Sequence, residues 1–164
     1  MLSHDQAICL RKVEYSETSQ ILQLLTRQSG VVRVIAKGAH RTTKAGAGRF
    51  DGGIDILDLG DAVYIPHPNR DLGTLTDWKL RDGHLALRRS LRSLMLAFHA
   101  AEITGSLFEE FDPHPGLFET LEHFAADLGT DRREEAAVAY VLIVLRESGD
   151  LPSFDSCAAC GAAL

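Results

Sequence analysis

The chain has 164 residues, 45% of them hydrophobic, and its 17 Lys and Arg against 23 Asp and Glu give a formal net charge of −6. This composition is typical of a globular protein. Its longest apolar runs are about half as long as a bilayer requires, so we expect neither membrane insertion nor secretion. The three cysteines are too few for a disulfide framework and suit a reducing cytosol.

The charge is unevenly distributed along the chain. Residues 1–80 contain 10 Lys and Arg against 9 Asp and Glu, whereas residues 81–164 contain 7 against 14. From Arg27 to Arg49 there are six basic residues and no acidic one. A local positive field on a mildly acidic protein can attract an anionic polymer to one face while the rest of the surface repels it.

The first half of the chain predicts β-strands at residues 7–13, 20–26, 31–38, 54–59 with 62–65, and 72–80. Short β-rich runs separated by Gly, Asn, Pro and Ser are typical of a meander or a small barrel. In the third run a period of two places Val32, Val34 and Ala36 on one face and Arg33, Ile35 and Lys37 on the other. This strand therefore has an apolar side and a cationic side.

Residues 38–53 have the composition of a basic loop, with several glycines, no apolar period and the cations Arg41, Lys44 and Arg49. The loop lacks the G-x-x-x-x-G-K-[ST] spacing of a nucleotide-binding P-loop. Aromatic residues are scarce in this half, and Tyr64 and Trp78 are candidates for the core. Phe50 is therefore the one candidate for stacking on a base.

The second half of the chain has a helical period. It predicts one long amphipathic helix over residues 85–108 and a second helix that begins at Asp112-Pro113. A third helix follows Asp131, whose side chain can cap it while Glu134 reaches back, and ends near Gly149. The nearly all-round apolar surface of this third helix predicts burial. We place the boundary between the halves at residues 79–83 and expect the halves to pack together.

Catalytic motifs are missing from the sequence: the histidines are scattered, and there is neither a nucleophile elbow nor an HExxH motif. The one enzyme-like alternative is an acidic metal cluster of Asp51, Asp55, Asp58 and Asp61. Strand alternation would place Asp55 and Asp58 on opposite faces, which disfavours such a cluster. We expect no enzymatic activity.

Several short motifs together resemble one protein family. They are Gly30-Val31-Val32-Arg33-Val34-Ile35 followed by Ala36-Lys37-Gly38-Ala39, Tyr15-Ser16-Glu17-Thr18-Ser19, Asp71-Leu72-Gly73-Thr74, and Ser148-Gly149-Asp150-Leu151-Pro152 before Cys157-Ala158-Ala159-Cys160-Gly161. No single motif is highly specific, but their order and spacing resemble the RecO family of bacterial recombination mediators. The resemblance covers most of the chain.

The resemblance implies an α+β multidomain protein, with an N-terminal OB-fold β-barrel in residues 1–80 and an all-helical C-terminal domain in residues 81–164. It also implies binding of single- and double-stranded DNA, annealing of complementary strands, and work in the bacterial cytoplasm at the nucleoid. The implied partners are RecR, the C-terminal tail of the single-strand-binding protein and, indirectly, RecA, with no membrane partner.

The candidate DNA-binding residues are the cations of the third strand and its loop: Arg33, Lys37, Arg41, Lys44 and Arg49. Weaker candidates are Arg11, Arg27 and the aromatic Phe50. Cations neutralise phosphates and release counterions, so DNA affinity should fall with salt. The alternative is a solvated charged face that prevents strand-to-strand aggregation. In the helical half, Arg88, Arg89 and Arg92 are candidates for the rim of an apolar pocket that receives the acidic tail of a partner.

Cys157 and Cys160 have zinc-knuckle spacing, but structural zinc needs four ligands. We expect two idle thiols and no required cofactor, with zinc only where a second ligand pair is supplied. Because related zinc modules continue beyond this point, we expect the chain to be truncated. The main alternative function is a non-catalytic protein-interaction scaffold without nucleic-acid contact, whose binding would be insensitive to salt.

Overall fold

The computed structural model describes residues 2–38, 50–51, 53–67, 72–157 and 159–163. Six strands come first: β1 (Ser3–Ser16), β2 (Ser19–Thr26), β3 (Gly30–Lys37), β4 (Phe50–Asp51), β5 (Leu59–Ile65) and β6 (Gly73–Asp82). A short 3-10 helix (Leu85–Arg89) and three α-helices follow: α1 (Leu91–Leu107), α2 (Pro115–Asp127) and α3 (Arg133–Ser148). Among the described helices, none has the length and apolar content needed to cross a membrane.

The strands form a sheet in the order β3-β2-β1-β5-β6-β4, and an additional pairing joins β3 to β6. Neighbours along the five-stranded path from β3 to β6 are antiparallel, whereas β3 and β6 are parallel. That pairing closes five strands into a barrel, and the two-residue β4 adds to β6. The barrel followed by helices confirms the predicted OB-fold with a helical C-terminal part.

The barrel interior is a continuous apolar cluster. The predicted alternation in β3 is confirmed, because Val32, Val34 and Ala36 are buried inside while Arg33 and Lys37 are exposed. Tyr64 and Trp78 are each only 1% exposed, so both belong to the core. The remaining interior side chains come mainly from Ala7, Cys9, Leu22, Leu24, Ile54, Ala62 and Leu75.

Strand β1 is buried on both sides in its middle. Ala7 and Cys9 face the barrel interior, while Ile8 and Leu10 belong to a second cluster that contains residues of all three α-helices. The register with β2 shifts between Cys9 and Arg11, so Leu10 is an extra residue in β1. Such a β-bulge lets two consecutive side chains point to the same side of a sheet.

The barrel and the helices share this second core, as expected for halves that pack together. Leu25 and Val31 from the barrel pack in one cluster with small residues of α1, such as Ala97 and Ala101. Within the helical part, the buried Tyr140 hydroxyl lies 2.6 Å from the Thr104 hydroxyl, and burial raises the pKa of Tyr140 to about 12.

The predicted single helix over 85–108 is wrong. Ser90 adopts an extended backbone (φ −135°, ψ 121°), which ends the 3-10 helix and starts α1. The Ser90 side chain accepts a hydrogen bond from the Ser93 N–H and so caps α1. The apolar period continues through Ser90, but only part of it is packed: Leu87 and Ala101 are buried in the second core, whereas Leu91 is 75% exposed.

The predicted starts of the next two helices were also wrong. Helix α2 begins at Pro115 with His114 as its N-cap, two residues after Pro113, because Pro115 holds the first-turn position. Helix α3 has Arg132 as its N-cap without a side-chain capping bond, since Glu134 pairs with Arg92 instead.

The predicted burial of α3 is wrong as well. Its buried residues are Tyr140 and Val144, while Val138 is 63% exposed. The helix packs along one narrow line on α1 and α2, which leaves the other apolar positions at the surface.

The strand predicted at residues 54–59 is absent. Leu57 has a left-handed backbone (φ 65°), and its N–H donates to the carbonyl of Cys9 on β1. The segment therefore turns beneath β1, and β5 begins only at Leu59. In this turn the Asp58 carboxylate accepts the Asp55 N–H at 2.7 Å, so strand alternation does not separate these two residues.

Candidate nucleic-acid interface

One part of the barrel's outer surface carries a row of polar side chains across three strands. Arg11 on β1 is the direct neighbour of Gln23 on β2, which in turn is the neighbour of Arg33 on β3. Arg11 and Arg33 are exposed. The structure thus brings together two of the predicted DNA-binding residues, which lie 22 positions apart in the sequence.

Two further rows continue this surface toward the β1–β2 hairpin. Val13, Ile21 and Ile35 form an apolar row, and beyond it Ser19 pairs with Lys37. Rows on one face are about 7 Å apart, because alternate strand residues share a face. We call this surface the open face; it consists of Arg11, Val13, Ser19, Ile21, Gln23, Arg33, Ile35 and Lys37.

The bulge at Leu10 places Arg11 on the open face. Before the bulge, Ala7 and Cys9 point into the barrel, and strict alternation would send Arg11 inward as well. The extra residue reverses the phase, so Arg11 lies beside Gln23 on the outside.

A groove of about 800 Å³ separates the open face from helix α1. Gln23 closes part of it by donating from Nε2 to the Gly105 carbonyl at 2.9 Å. A Cβ atom at position 105 would lie 2.8 Å from the Gln23 side-chain oxygen, so a larger residue there would displace the end of the Gln23 side chain. The α1 side of the groove carries Phe98, Ala101, Glu102, Ser106 and, after the helix, Glu110.

The electrostatics of the groove are two-sided. Cations line the barrel wall, whereas Glu102 and Glu110 lie on the opposite wall. Glu110 Oε1 is 3.7 Å from Arg33 Nε, and both side chains are more than a third exposed. Such a solvated pair contributes little stability, so a phosphate can compete for the guanidinium of Arg33.

Arg27 lies away from the open face. Its guanidinium pairs with Glu122 at 3.3 Å and Glu119 at 3.7 Å, both on α2, and lies 4.8 Å from the centre of the Phe118 ring. These contacts hold the β2–β3 turn to α2, so we do not include Arg27 in the candidate interface.

Arg88 is also held in a junction between the barrel and the helices. Asp55 accepts from Lys12 at 3.1 Å and from Arg88 at 3.0 Å. Burial raises the pKa of Asp55, but hydrogen bonds from the Ile56 N–H, Lys12 and Arg88 outweigh it and lower the pKa overall. The result is an ionised carboxylate between two cations.

The helical part contains an apolar cavity of about 340 Å³ between α1 and α3. Its floor includes Leu96, Ala100 and Phe124, and its rim carries Arg92 and Glu134. Arg92 donates to both carboxylate oxygens of Glu134, at 2.8 and 2.7 Å. Of the three arginines predicted at such a rim, Arg92 lines the cavity, while Arg88 pairs with Asp55 and Arg89 is exposed at the end of the 3-10 helix.

Three predicted loop cations, Arg41, Lys44 and Arg49, lie outside the described residues. Phe50 is described, and its side chain is partly buried against the barrel core beside β6. Because of this packing, only part of the Phe50 ring is exposed. The stacking of Phe50 on a base stays a prediction.

Cys157 and Cys160 lie in a tight turn. The Cys157 N–H donates to the Ala162 carbonyl, and the Gly161 N–H donates back to the Cys157 carbonyl. Backbone N–H groups of Ala159 and Cys160 donate to the Cys157 sulfur and lower its pKa. The turn can offer two sulfur ligands to a metal, but the part of the chain that the structure describes has no group of three or more His, Cys, Asp or Glu side chains that could hold one.

Gln23, Ile21 and Glu110 also line the groove, and none of them was predicted from the sequence. A period of two in β2, read in register with β3, could have found Gln23 and Ile21. Glu110 reaches the groove through tertiary contact, because residue 110 forms a bridge with Val31 after α1 has ended. No local sequence pattern predicts that contact.

Comparison with known families gives two matches in sequence order. The model "Recombination protein O N terminal" matches residues 1–84, and the model "Recombination protein O C terminal" matches residues 88–164. Similar curated proteins include "DNA repair protein RecO" of Rhodopirellula baltica, 35% identical over 94% of this chain and 56% of the relative. Proteins of the same name from Anaeromyxobacter sp. strain K and Myxococcus xanthus are 35% and 30% identical, over 94% and 97% of this chain and 60% and 64% of the relatives.

The chain spans 56 to 64% of the length of these three relatives. The two family models together match nearly all of it, from the barrel through the helices to the cysteine turn. The chain belongs to the RecO family.

Proposed function

We propose that this chain binds single- and double-stranded DNA on the open face of its barrel, acts in DNA repair as the names of its relatives state, and catalyses no reaction. The observation that carries the proposal is the cross-strand row Arg11–Gln23–Arg33, extended by Lys37, beside a groove. OB-fold proteins commonly bind nucleic acid on this part of the barrel. The predicted loop cations Arg41, Lys44 and Arg49 come after β3 in the sequence, and we propose that they also bind phosphates.

The binding would depend mainly on the DNA backbone. Arginine and lysine neutralise phosphates, while the apolar row Val13, Ile21 and Ile35 offers contact to sugars and bases without hydrogen-bonding groups. A surface of this kind tolerates any sequence. By neutralising two backbones on one face, it would also promote annealing of complementary strands.

The test is fluorescence anisotropy of labelled poly-dT across a salt series. We expect Arg33→Ala with Lys37→Ala to weaken binding about tenfold or more and to reduce the slope of log affinity against log salt by about 0.7 per lost phosphate contact. The matched control is Arg132→Ala with Arg146→Ala, which removes the same charge from exposed positions at the N-cap and in the last turn of α3. Equal losses in both variants would show only a net-charge effect and would contradict the assignment of the open face.

The same experiment separates DNA binding from the scaffold alternative. A wild-type chain that fails to bind poly-dT and duplex DNA at low salt would favour a protein-interaction scaffold. Salt-dependent binding together with slower strand annealing by the open-face variant would support the mediator function.

We also propose that the cavity between α1 and α3 receives the C-terminal tail of the single-strand-binding protein. The supporting observation is an apolar floor beside Arg92, which can pair with a carboxylate as it does with Glu134. A labelled tail peptide should bind more weakly to Arg92→Ala and more tightly to Glu134→Gln, which removes the competing carboxylate. Arg146→Ala serves as the control, and an unchanged affinity in both cavity variants would refute the proposal.

The remaining partners are proposed without an assigned surface. We propose that the chain works with RecR in loading RecA, in the bacterial cytoplasm at the nucleoid. We propose that DNA binding requires no cofactor. Zinc would bind at Cys157 and Cys160 only with a second pair of ligands.

A further inference from the structure

The segment after α1 is held against the start of β3 by its backbone. Residue 110 forms a bridge with Val31, and the Phe111 N–H donates to the Val31 carbonyl at 2.9 Å. Gly30 has φ 71°, and a Cβ atom at that position would collide with the Asp112 carbonyl. The position of Phe111 relative to the barrel is therefore fixed.

Phe111 combines two unusual properties. Its backbone is left-handed (φ 63°), a conformation that bulky residues rarely adopt and that persists only where the surroundings enforce it. Its side chain is nevertheless 47% exposed, so core packing does not explain the conformation. Strained residues of this kind cluster at binding sites.

The exposed ring borders a small cavity of about 220 Å³, whose other lining residues are Ser3, Ser29, Tyr64 and Pro66. Phe111 and Pro66 supply flat apolar surfaces, and the serines supply hydroxyl groups. The volume lies below the range of about 300 to 1,000 Å³ that holds whole small-molecule ligands. A single planar ring with polar edges fits such a space.

The charges near Phe111 indicate which part of a nucleotide it can meet. Its neighbours in sequence are Glu110 and Asp112, and Glu109 precedes them, so a phosphate would be repelled there. A nucleobase is neutral, so these carboxylates would not repel it. Val31, to which the Phe111 backbone is hydrogen-bonded, lies two residues before Arg33 on β3. The backbone positions of Val31 and Arg33 are therefore about 7 Å apart.

We infer that Phe111 is a stacking platform for one unpaired base of a DNA strand whose phosphate lies on Arg33, with the base edge in the cavity beside Pro66. This inference rests on the proposed DNA binding. It also implies a preference for single strands, because a base in a duplex is already stacked and paired.

The test measures the affinity of Phe111 variants for poly-dT and for a duplex of the same length. We expect Phe111→Ala to weaken poly-dT binding at least about fivefold, the usual lower limit for losing one stacked base, and to leave duplex binding and the salt slope unchanged. Phe111→Trp should retain the affinity. Phe154→Ala removes an exposed aromatic ring elsewhere and should have no effect.

Phe111→Asn guards against a folding artefact, because asparagine tolerates the left-handed backbone but offers no aromatic surface. It should match Phe111→Ala in affinity while keeping the wild-type melting temperature. An oligonucleotide with one 2-aminopurine should be quenched by wild-type protein and less so by either variant. Normal salt-dependent DNA binding that is equal in wild type, Phe111→Ala and Phe111→Asn would overturn the inference, whereas absence of wild-type DNA binding would overturn the proposed function.

Discussion

Strands β1, β2 and β3 carry two adjoining regions on the outside of the barrel that differ sharply. In the covered region, Ile8, Leu10, Leu25 and Val31 pack beneath the helices. Gln23 on β2 and Arg33 on β3 lie only two positions away from Leu25 and Val31. They belong to the open face and line the groove. The position of the helices, rather than the type of strand, therefore decides which outward residues stabilise the fold and which remain available to bind a ligand.

The cations follow the same division. Arg27 and Arg88 are held by acidic residues where the helices meet the barrel. Arg11 and Arg33 lie in the groove, where Arg33 meets a solvated carboxylate. All four are arginines in or near the first domain, so their residue type alone cannot distinguish their roles.

The strongest way to disrupt the boundary between the two regions is Gly30→Ala. The new Cβ would collide with the Asp112 carbonyl in a left-handed backbone, and we expect the free energy of unfolding to fall by about 3 kcal/mol. Urea denaturation provides the measurement. Gly53→Ala is the control, since Gly53 is also left-handed but has open space around its Cβ position, so about 1 kcal/mol should be lost. Equal losses would show that the contact with Asp112 is unimportant.

Arg27→Ala should separate stability from DNA binding. We expect a loss of about 1 to 2 kcal/mol in the free energy of unfolding, because the guanidinium of Arg27 lies over the Phe118 ring and pairs with two glutamates. Poly-dT affinity should stay within twofold of wild type. A large loss of affinity in a folded Arg27→Ala variant would instead place Arg27 in the DNA interface.

Glu110→Gln should strengthen DNA binding on the open face. Removing the carboxylate beside Arg33 leaves that guanidinium free for phosphate, and we expect DNA affinity to rise about two- to fourfold at low salt. Glu109→Gln makes the same change in net charge one residue away from the groove lining. Anisotropy titrations that show the same gain for both variants would assign the effect to net charge alone.

The smallest expected effect is a pH dependence of the free energy of unfolding that arises from the buried Asp58. Burial raises the pKa of Asp58. The hydrogen bond from the Asp55 N–H lowers this pKa, but by less, so the pKa is raised overall. The folded state therefore holds the proton more tightly than the unfolded chain, and stability should decline as the pH rises above about 4 through the folded pKa. Asp58→Asn should lack this part of the decline in urea titrations at several pH values, whereas exposed Asp155→Asn should follow wild type.

The sequence predicted most strands of the barrel because their buried residues recur with a period of two, although the bulge in β1 and the turn before β5 were not predicted. The period of two in β3 sorted Arg33 and Lys37 from Val32 and Val34 correctly, since one face of that strand must be buried inside. The helical half was harder to predict. The apolar residues of α3 exceed what one line of packing can bury, and Ser90 breaks a helix whose apolar period continues without interruption.

The candidate site was only partly predictable for a similar reason. Arg33 and Lys37 come from one strand and can be found by local periodicity. Arg11 joins them through a bulge, and Glu110 and Phe111 join them through a bridge to Val31 formed by a distant segment. Those placements depend on tertiary pairing, which leaves no periodic signal in the chain.

The bulge at Leu10 has a consequence for changes in chain length. Deleting Leu10 alone would remove the bulge and leave a regular ladder, in which Cys9 still pairs with Leu24 and Arg11 with Gln23, so both residues would keep their faces. The cost would be the loss of the buried Leu10 side chain from the second core. Deleting Leu10 together with Arg11 would instead join Cys9 directly to Lys12, which pairs with the inward Leu22, and one part of β1 would have to exchange its faces. At this position the strand should therefore tolerate a deletion of one residue better than a deletion of two.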